Sequence, residues 1–188
     1  MADMRIIGGE HRGRKIKYPG KGGVRPTKDR IRESVFDMIA EWVPGTRVLD
    51  LFSGSGAYGL EALSRGAESV SFIDNNKESI RVIRENCRGL GLHGSVKFIC
   101  QDVFKALGGL ANDKERFDIV FSDPPFNKGM AKKTLIMINQ YDILNRPGLF
   151  VVEHSCQETL PEEEEGNCLS VLKQKTYKNI LITIFLKK

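Results

Sequence analysis

Three carboxylates, a glycine-rich turn and one tetrapeptide are the residues of this chain whose types and spacing can do chemistry. Asp50 lies inside the apolar run TRVLDLF (residues 46–52), Asp74 ends SVSFID and Asp102 ends VKFICQD. Each acid thus closes or interrupts a strand-like segment. After the first, Gly54, Gly56 and Gly59 break the apolar pattern before it resumes as helical sequence through Leu63. In a strand, glycine turn, helix unit the backbone folds tightly and approaches a ligand that any Cβ would push away. An ordinary βα turn also explains the glycines, but not the acid that follows Gly54 by about twenty positions. Acids at the carboxyl ends of successive parallel strands line the crevice where open α/β sheets hold ligands.

A fourth strand-like run, residues 117–122, leads into Asp123-Pro124-Pro125-Phe126. A carboxylate beside a backbone carbonyl makes two acceptors, which together can take both hydrogens of an amine and aim its lone pair. Consecutive prolines fix that carbonyl and remove competing N–H donors. Phe126 offers a flat face on which a base can stack. A Pro-Pro turn that merely ends a strand is the plainer alternative.

The elements that must position these residues alternate in type. After Pro26 the segment TKDRIRESVFDMIAEW predicts a helix, with Thr27 as N-cap and Ile31, Val35, Met38, Ile39 and Trp42 on one face; Pro44-Gly45 ends it. Helices over 77–88, 103–110 and 130–140 separate strands over 69–74, 96–102, 117–122 and 149–153. That alternation predicts an α/β fold on a parallel sheet. Residues 169–175 and 180–186 follow without an intervening helix and predict an antiparallel pair, joined to the core across the acidic, solvent-facing loop PEEEEGN (161–167).

At 188 residues and 40% hydrophobic content the chain has material for one globular domain with a sizeable core. The start, MADMRIIGG, lacks the apolar core of a signal peptide, and no apolar run approaches the length of a membrane span, so a cytoplasmic protein without a membrane partner is expected. Cys87, Cys100, Cys156 and Cys168 never form C-x-x-C and read as free thiols; with the three histidines at positions 11, 93 and 154 they give no metal-ligand spacing.

Charge is unevenly placed. Residues 1–30 carry nine Lys or Arg against three acids, a balance of +6 out of a total of +5, which leaves −1 for the remainder. A basic arm ahead of the α/β core is what a phosphate-contacting element looks like, and Arg12, Arg14, Lys15, Lys17 and Arg25 are its candidate contacts. Ile6, Ile7, Ile16 and Tyr18 around Gly8-Gly9 and Gly13 predict a short β-hairpin near the active-site mouth; a solvated basic tail is the alternative.

Taken together, the glycine turn and the acids resemble the class I S-adenosylmethionine-dependent methyltransferases. A dehydrogenase fits less well, because a loop crowded by acids suits a phosphate-free cofactor better than a pyrophosphate. The resemblance implies a cofactor set of Asp50, Gly54, Gly56, Asp74, Asn75, Asp102 and Val103. In that family the glycine turn passes the methionine portion, the second acid binds the ribose hydroxyls and the third accepts from the adenine amino group. The family more often has Glu where this chain has Asp74. Asn75 and Val103, each just after an acid, are implied at the adenosine.

The segments MRIIGGEHRGRKI (4–16) and RPTKDRIRESVF (25–36), with LDLFSGSGAYGLEALSRGA and the tetrapeptide, are similar to the bacterial 16S rRNA guanine-N2 methyltransferases of the RsmD family. That resemblance implies a Rossmann-like class I fold: a mostly parallel seven-stranded sheet, a C-terminal antiparallel hairpin and a small N-terminal β-hairpin extension. It divides the chain into an arm over 1–26 and a methyltransferase domain over 27–188. Asp123 and the Pro124 carbonyl would hold the substrate amine, Pro125 would stiffen the turn and Phe126 would be the platform. The implied substrate is a guanine N2 in ribosomal RNA or the assembling small subunit, acted on by a monomer. Because such tetrapeptides serve amines of bases and of glutamine alike, an adenine-N6 or protein-glutamine methyltransferase is the alternative among enzymes. A non-catalytic RNA-binding module with a vestigial cofactor fold is the alternative outside them, against which the intact Asp123 and glycine turn argue.

Overall fold

The computed structural model describes residues 4–20, 26–161 and 168–188. In chain order the elements are α1 (Pro26–Met38), a single 3-10 turn (Ala40–Trp42), β1 (Arg47–Leu51), α2 (Ala57–Ser64), β2 (Ser69–Asp74), α3 (Lys77–Leu90), β3 (Val96–Cys100), α4 (Val103–Asn112), β4 (Phe117–Ser122), α5 (Met130–Gln140), β5 (Leu144–Ser155), β6 (Leu169–Tyr177) and β7 (Ile180–Lys187). The strands form one sheet in the order β3-β2-β1-β4-β5-β7-β6. β1 to β5 are parallel, and β7 runs antiparallel to both β5 and β6. The order reverses between β1 and β4, and ligand crevices of open α/β sheets open at such a reversal.

Both faces of the sheet are covered. α1, α2 and α3 pack on one through Ile31, Val35, Phe36, Leu60, Ile80 and Ile83, and α4 and α5 on the other through Leu107, Leu110, Leu135 and Ile138. α3 shows how local sequence sets an element: Asn76 Oδ1 accepts from Glu78 N at 2.8 Å to start it, and Gly91 at φ 77° stops it. Several boundaries differ from expectation. β3 stops at Cys100, short of Asp102, because Asp102 caps α4 instead. Pro26 is the first residue of α1, so Thr27 lies within the helix instead of capping it, and α1 yields to the 3-10 turn after Met38. β5 starts at Leu144, earlier than its apolar run, because Leu144 pairs with Phe117 across an irregularity in β4.

The N-terminal arm packs onto the α1–α3 face, where Met4, Ile6 and Ile16 are buried in the same core. It doubles back through an antiparallel bridge, Arg5 with Lys15, and forms no strand among the described residues, so the expected hairpin extension is there a bridged loop. Ile6 N and Ile16 N do donate across the loop, to the Arg14 and Met4 carbonyls, but beyond them Ile7 N and Gly8 N donate to the fully buried Glu61 carboxylate at 2.8 and 2.7 Å and His11 N donates to Ser64 Oγ, so the ladder stops at the bridge. At Gly9 the φ is 73° and a Cβ would stand 1.8 Å from the Ser64 carbonyl oxygen; only glycine permits this docking.

Candidate active site

The acids at the strand ends are tied to the turns around them. Asp50 is 3% exposed, and its Oδ2 accepts from Gly59 N at 3.0 Å. Burial pushes its carboxyl pKa well above the usual carboxylate range, against the opposing pull of that N–H. Gly59 lies on β2 so closely that a Cβ would meet Phe72 Cε1 at 2.4 Å, which makes glycine the condition for α2 packing there. Asp74 Oδ2 accepts from Gly54 N and its Oδ1 from Asn76 N, both at 2.8 Å, so this acid sets the shape of the glycine turn from the neighbouring strand. Asp102 caps α4, with Oδ1 accepting from Phe104 N and Lys105 N at 3.1 Å.

A cleft of about 620 Å³ opens above these turns. Asp74, Asn75, Asp102 and Val103 form one wall, and Asp123, Pro124, Pro125 and Phe126 another. Phe52, held at φ 55°, and Phe104 contribute apolar surface and meet edge to face at 6.2 Å. Asp50 and Gly54 line an adjoining space of about 210 Å³ that shares Lys28, Phe52 and Asp123 with the cleft. Gly56 lines neither; at φ 78° it turns the chain into α2.

Several residues of this site were not anticipated. Lys28 of α1 places Nζ 2.7 Å from Asp123 Oδ2. Burial disfavours the Lys28 charge, yet Asp123 outweighs it and the lysine pKa is raised. Glu153 at the end of β5 is 3% exposed and accepts from the Tyr58 hydroxyl. Burial first, and then the charge of Asp123, push the Glu153 carboxyl up to about 8. The β6–β7 turn also lines the cleft, through Tyr177, Lys178 and Asn179. Glu153 had a signal in the sequence, as the lone acid of the apolar run LFVVEHS, the pattern that singled out Asp50. Lys28 and the β6–β7 turn had none, since both arrive through long-range packing.

The basic candidates stand elsewhere. Arg12, Arg14, Lys15 and Lys17 are exposed on the arm; Arg14 donates to the Gly89 carbonyl at 2.8 Å and Lys17 pairs with Glu85 at 2.8 Å. The arm's tip meets the last turn of α2, with Glu10 N donating to the Ser64 carbonyl. Arg14 and the arm's tip therefore follow the flank made by the carboxyl ends of α2 and α3, whereas Lys17 is held at Asn86, which also donates to the Ser55 carbonyl of the glycine turn; from the arm, Met4 and Tyr18 reach the smaller space. Arg25 and residues 162–167 of the acidic loop lie outside the described residues. Among the described residues no His, Cys, Asp and Glu group has the arrangement to hold a metal ion, and no helix is long and apolar enough to cross a membrane.

With this geometry in view, the model of the family described as "Conserved hypothetical protein 95" matches residues 4–186. Over 158 residues the chain is 36% identical to Ribosomal RNA small subunit methyltransferase D of Escherichia coli K12, an overlap of 84% of this chain and 78% of that one. The chain belongs to the family of that methyltransferase. A Bacillus subtilis member, YlbH, named as a candidate rRNA methyltransferase, is 35% identical across 98% of this chain and its own whole length. Among solved structures, yhhF of Escherichia coli, titled a candidate methyltransferase, superposes with a TM-score of 0.84 at 30% identity, covering 100% of this chain and 99% of that one. The family fold is thus the class I methyltransferase fold, with a seven-stranded mixed sheet whose last strands are antiparallel.

Proposed function

We propose that the protein methylates the exocyclic N2 of a guanine in 16S ribosomal RNA, as a monomer, with S-adenosylmethionine as donor. Ribosomal RNA as substrate is supported by the named relatives. The observation that carries the site assignment is the convergence of Asp74, Asn75, Asp102 and Val103 with Asp123, Pro124 and Phe126 on one cleft. The lining of that cleft supports the cofactor reading: Asp74 and Asp102 offer carboxylate acceptors for ribose hydroxyls and an amino group, Phe52 and Phe104 give apolar walls, and a further space beyond Gly54 can take an amino-acid end. The cofactor supplies a methyl group activated on a sulfonium.

The remaining work falls to the protein. A guanine amine is a poor nucleophile because its lone pair is delocalised into the ring. Asp123 and the Pro124 carbonyl accept its two hydrogens and favour the geometry in which nitrogen keeps that pair. Phe126 stacks on the base once it is turned out of the RNA. Arg12, Arg14, Lys15 and Lys17, with Arg25, contact phosphates and give grip and register without choosing the base.

Replacing Asp123 by Ala tests the assignment. Turnover falls by roughly a hundredfold or more while S-adenosylmethionine affinity is nearly unchanged. Lost cofactor binding with normal turnover contradicts it.

A further inference from the structure

The end of β5 holds a carboxyl group that the reading above leaves without a task. Parallel pairing sets Ser122 of β4 opposite Val152 of β5, so the next residues, Asp123 just past β4 and Glu153 still within β5, come side by side. They do so on the face covered by α1 and α2, where Phe121 and Val151 point into the α1–α3 core. Tyr58 of α2 donates its hydroxyl to Glu153 Oε1. The Tyr58 ring is held in place by stacking on Phe121 at 5.0 Å, with Phe36 against the same Phe121 at 5.4 Å. Glu153 Oε2, buried, has no donor among the described residues. Asp123, its neighbour across the β4–β5 pairing, lines the same small space.

An ionised carboxylate only accepts hydrogen bonds, so two of them in contact repel unless a proton lies between them. Among the described residues, the two cations that border the space around Glu153 are engaged elsewhere. Lys28 of α1 is paired with Asp123. Arg32 of α1 borders the same small space but donates to Asp29 and to the Arg5 carbonyl and lies 3.6 Å from Glu61. Asp50 on β1 adds a third carboxylate, and Tyr18 of the arm closes the space. One paired lysine and one arginine engaged by Asp29 and Glu61 therefore share the space with Asp50, Asp123 and Glu153.

We propose that Glu153 is a positioning residue for methyl transfer: as a neutral carboxylic acid it donates a hydrogen bond to Asp123 and fixes the carboxylate that receives the substrate amine. This rests on the assignment of Asp123 as the amine acceptor. Burial and the Asp123 charge, which lift the Glu153 carboxyl to about 8, agree with a proton held there at neutral pH. Above that pH Glu153 ionises, pushes Asp123 away, and turnover drops. Tyr58 orients the acid through the other oxygen, so that its O–H points at Asp123 and not at the tyrosine.

The test is the pH dependence of turnover, with saturating S-adenosylmethionine and RNA, for the native protein, Glu153→Gln and Glu153→Ala. A glutamine amide mimics the neutral acid, accepting from Tyr58 and donating to Asp123, but does not ionise. The native protein should lose about tenfold in turnover per pH unit above about 8. Glu153→Gln should stay within about threefold of native at pH 7 and lack that loss, and Glu153→Ala should fall about tenfold at pH 7. A Glu153→Gln profile with the native alkaline loss, or a Gln variant as slow as the Ala variant at pH 7, overturns the proposal. If the alanine variant does not fold, the glutamine profile decides alone. Asp123→Ala is measured alongside: native turnover there removes the assignment of Asp123, whereas a slow Asp123→Ala with an unchanged Glu153→Gln profile removes only the role of Glu153.

Discussion

Lys28 Nζ stands 2.7 Å from Asp123 Oδ2, which joins the first helix to the end of β4 at the point where the substrate amine is to be held. The Lys28 charge also acts on Glu153, where it favours the ionised carboxylate. Lys28→Met should therefore leave Glu153 protonated to higher pH, and the alkaline loss of turnover should move upward. Lys28→Arg, which keeps the charge, should stay near the native profile. A downward move in the methionine variant contradicts the coupling.

Asp74 has two tasks, shaping the glycine turn through Gly54 N and Asn76 N and offering acceptors to the cleft. Asp74→Ala should cost about 1.5–3 kcal/mol of S-adenosylmethionine affinity, because a hydroxyl pair and two backbone donors lose their acceptor. Calorimetry that finds native affinity for this variant takes Asp74 out of the cofactor site.

Arg12, Arg14 and Lys15 project from the arm's bridged loop, on a flank removed from the cleft. If they grip phosphates, replacing all three by Ala should weaken RNA binding for every sequence and lower the slope of log affinity against log salt by about two to three. Cofactor affinity should not change, since these residues line neither space. An unaltered salt slope with full activity on ribosomal substrate makes the arm a structural clasp only.

The share of stability carried by Asp50 and Glu153 should fall as pH rises through neutrality, while the buried His154, whose pKa burial depresses, acts with the opposite sign in the same range. Asp50 and Glu153 both have folded-state pKa values raised by burial, so their contribution is complete below the ordinary carboxylate range near 4 and declines above it, for Glu153 up to about 8. Glu115, held below its usual range by Arg47, and Asp142, held below by Lys187, act with the opposite sign, and their contribution is lost only as pH falls below that range. Thermal unfolding followed from pH 5 to 9 should show a shallower decline for Asp50→Asn and for Glu153→Gln than for the native protein. Parallel declines contradict the assignment of these two groups.

Most of the framework could be read from local pattern. Apolar runs ending in Asp50, Asp74 and Asp102 mark β1, β2 and the approach to α4, and the start of α5 at Met130 is where its periodicity begins. The parallel strands β1 to β5 and the closing β6–β7 pair follow from alternation of type, whereas the order of strands in the sheet does not. The arm was harder: Ile6 and Ile16 do bond across the loop, but how far that ladder runs depends on who takes the next amides, those of Ile7 and Gly8. Glu61, far along the chain and indistinguishable in sequence from a surface acid, takes both. Lys28 escaped notice among the basic residues of the arm for the same reason: nothing near it in sequence says that α1 delivers it to Asp123. Glu153 carried the lone-acid signal of Asp50, but its meaning comes from the β4–β5 register that sets it beside Asp123.

The most direct test of the account is to identify the methylated atom. The protein is incubated with S-adenosylmethionine carrying a labelled methyl group and, separately, with naked 16S ribosomal RNA, small subunits, DNA and ribosomal proteins; labelled products are then digested and resolved by mass spectrometry. Label in N2-methylguanosine from ribosomal RNA or small subunits, lost on Asp123→Ala, is the predicted result. Label in N6-methyladenosine or in a protein glutamine, or N2-methylguanosine formed as well by Asp123→Ala, contradicts it.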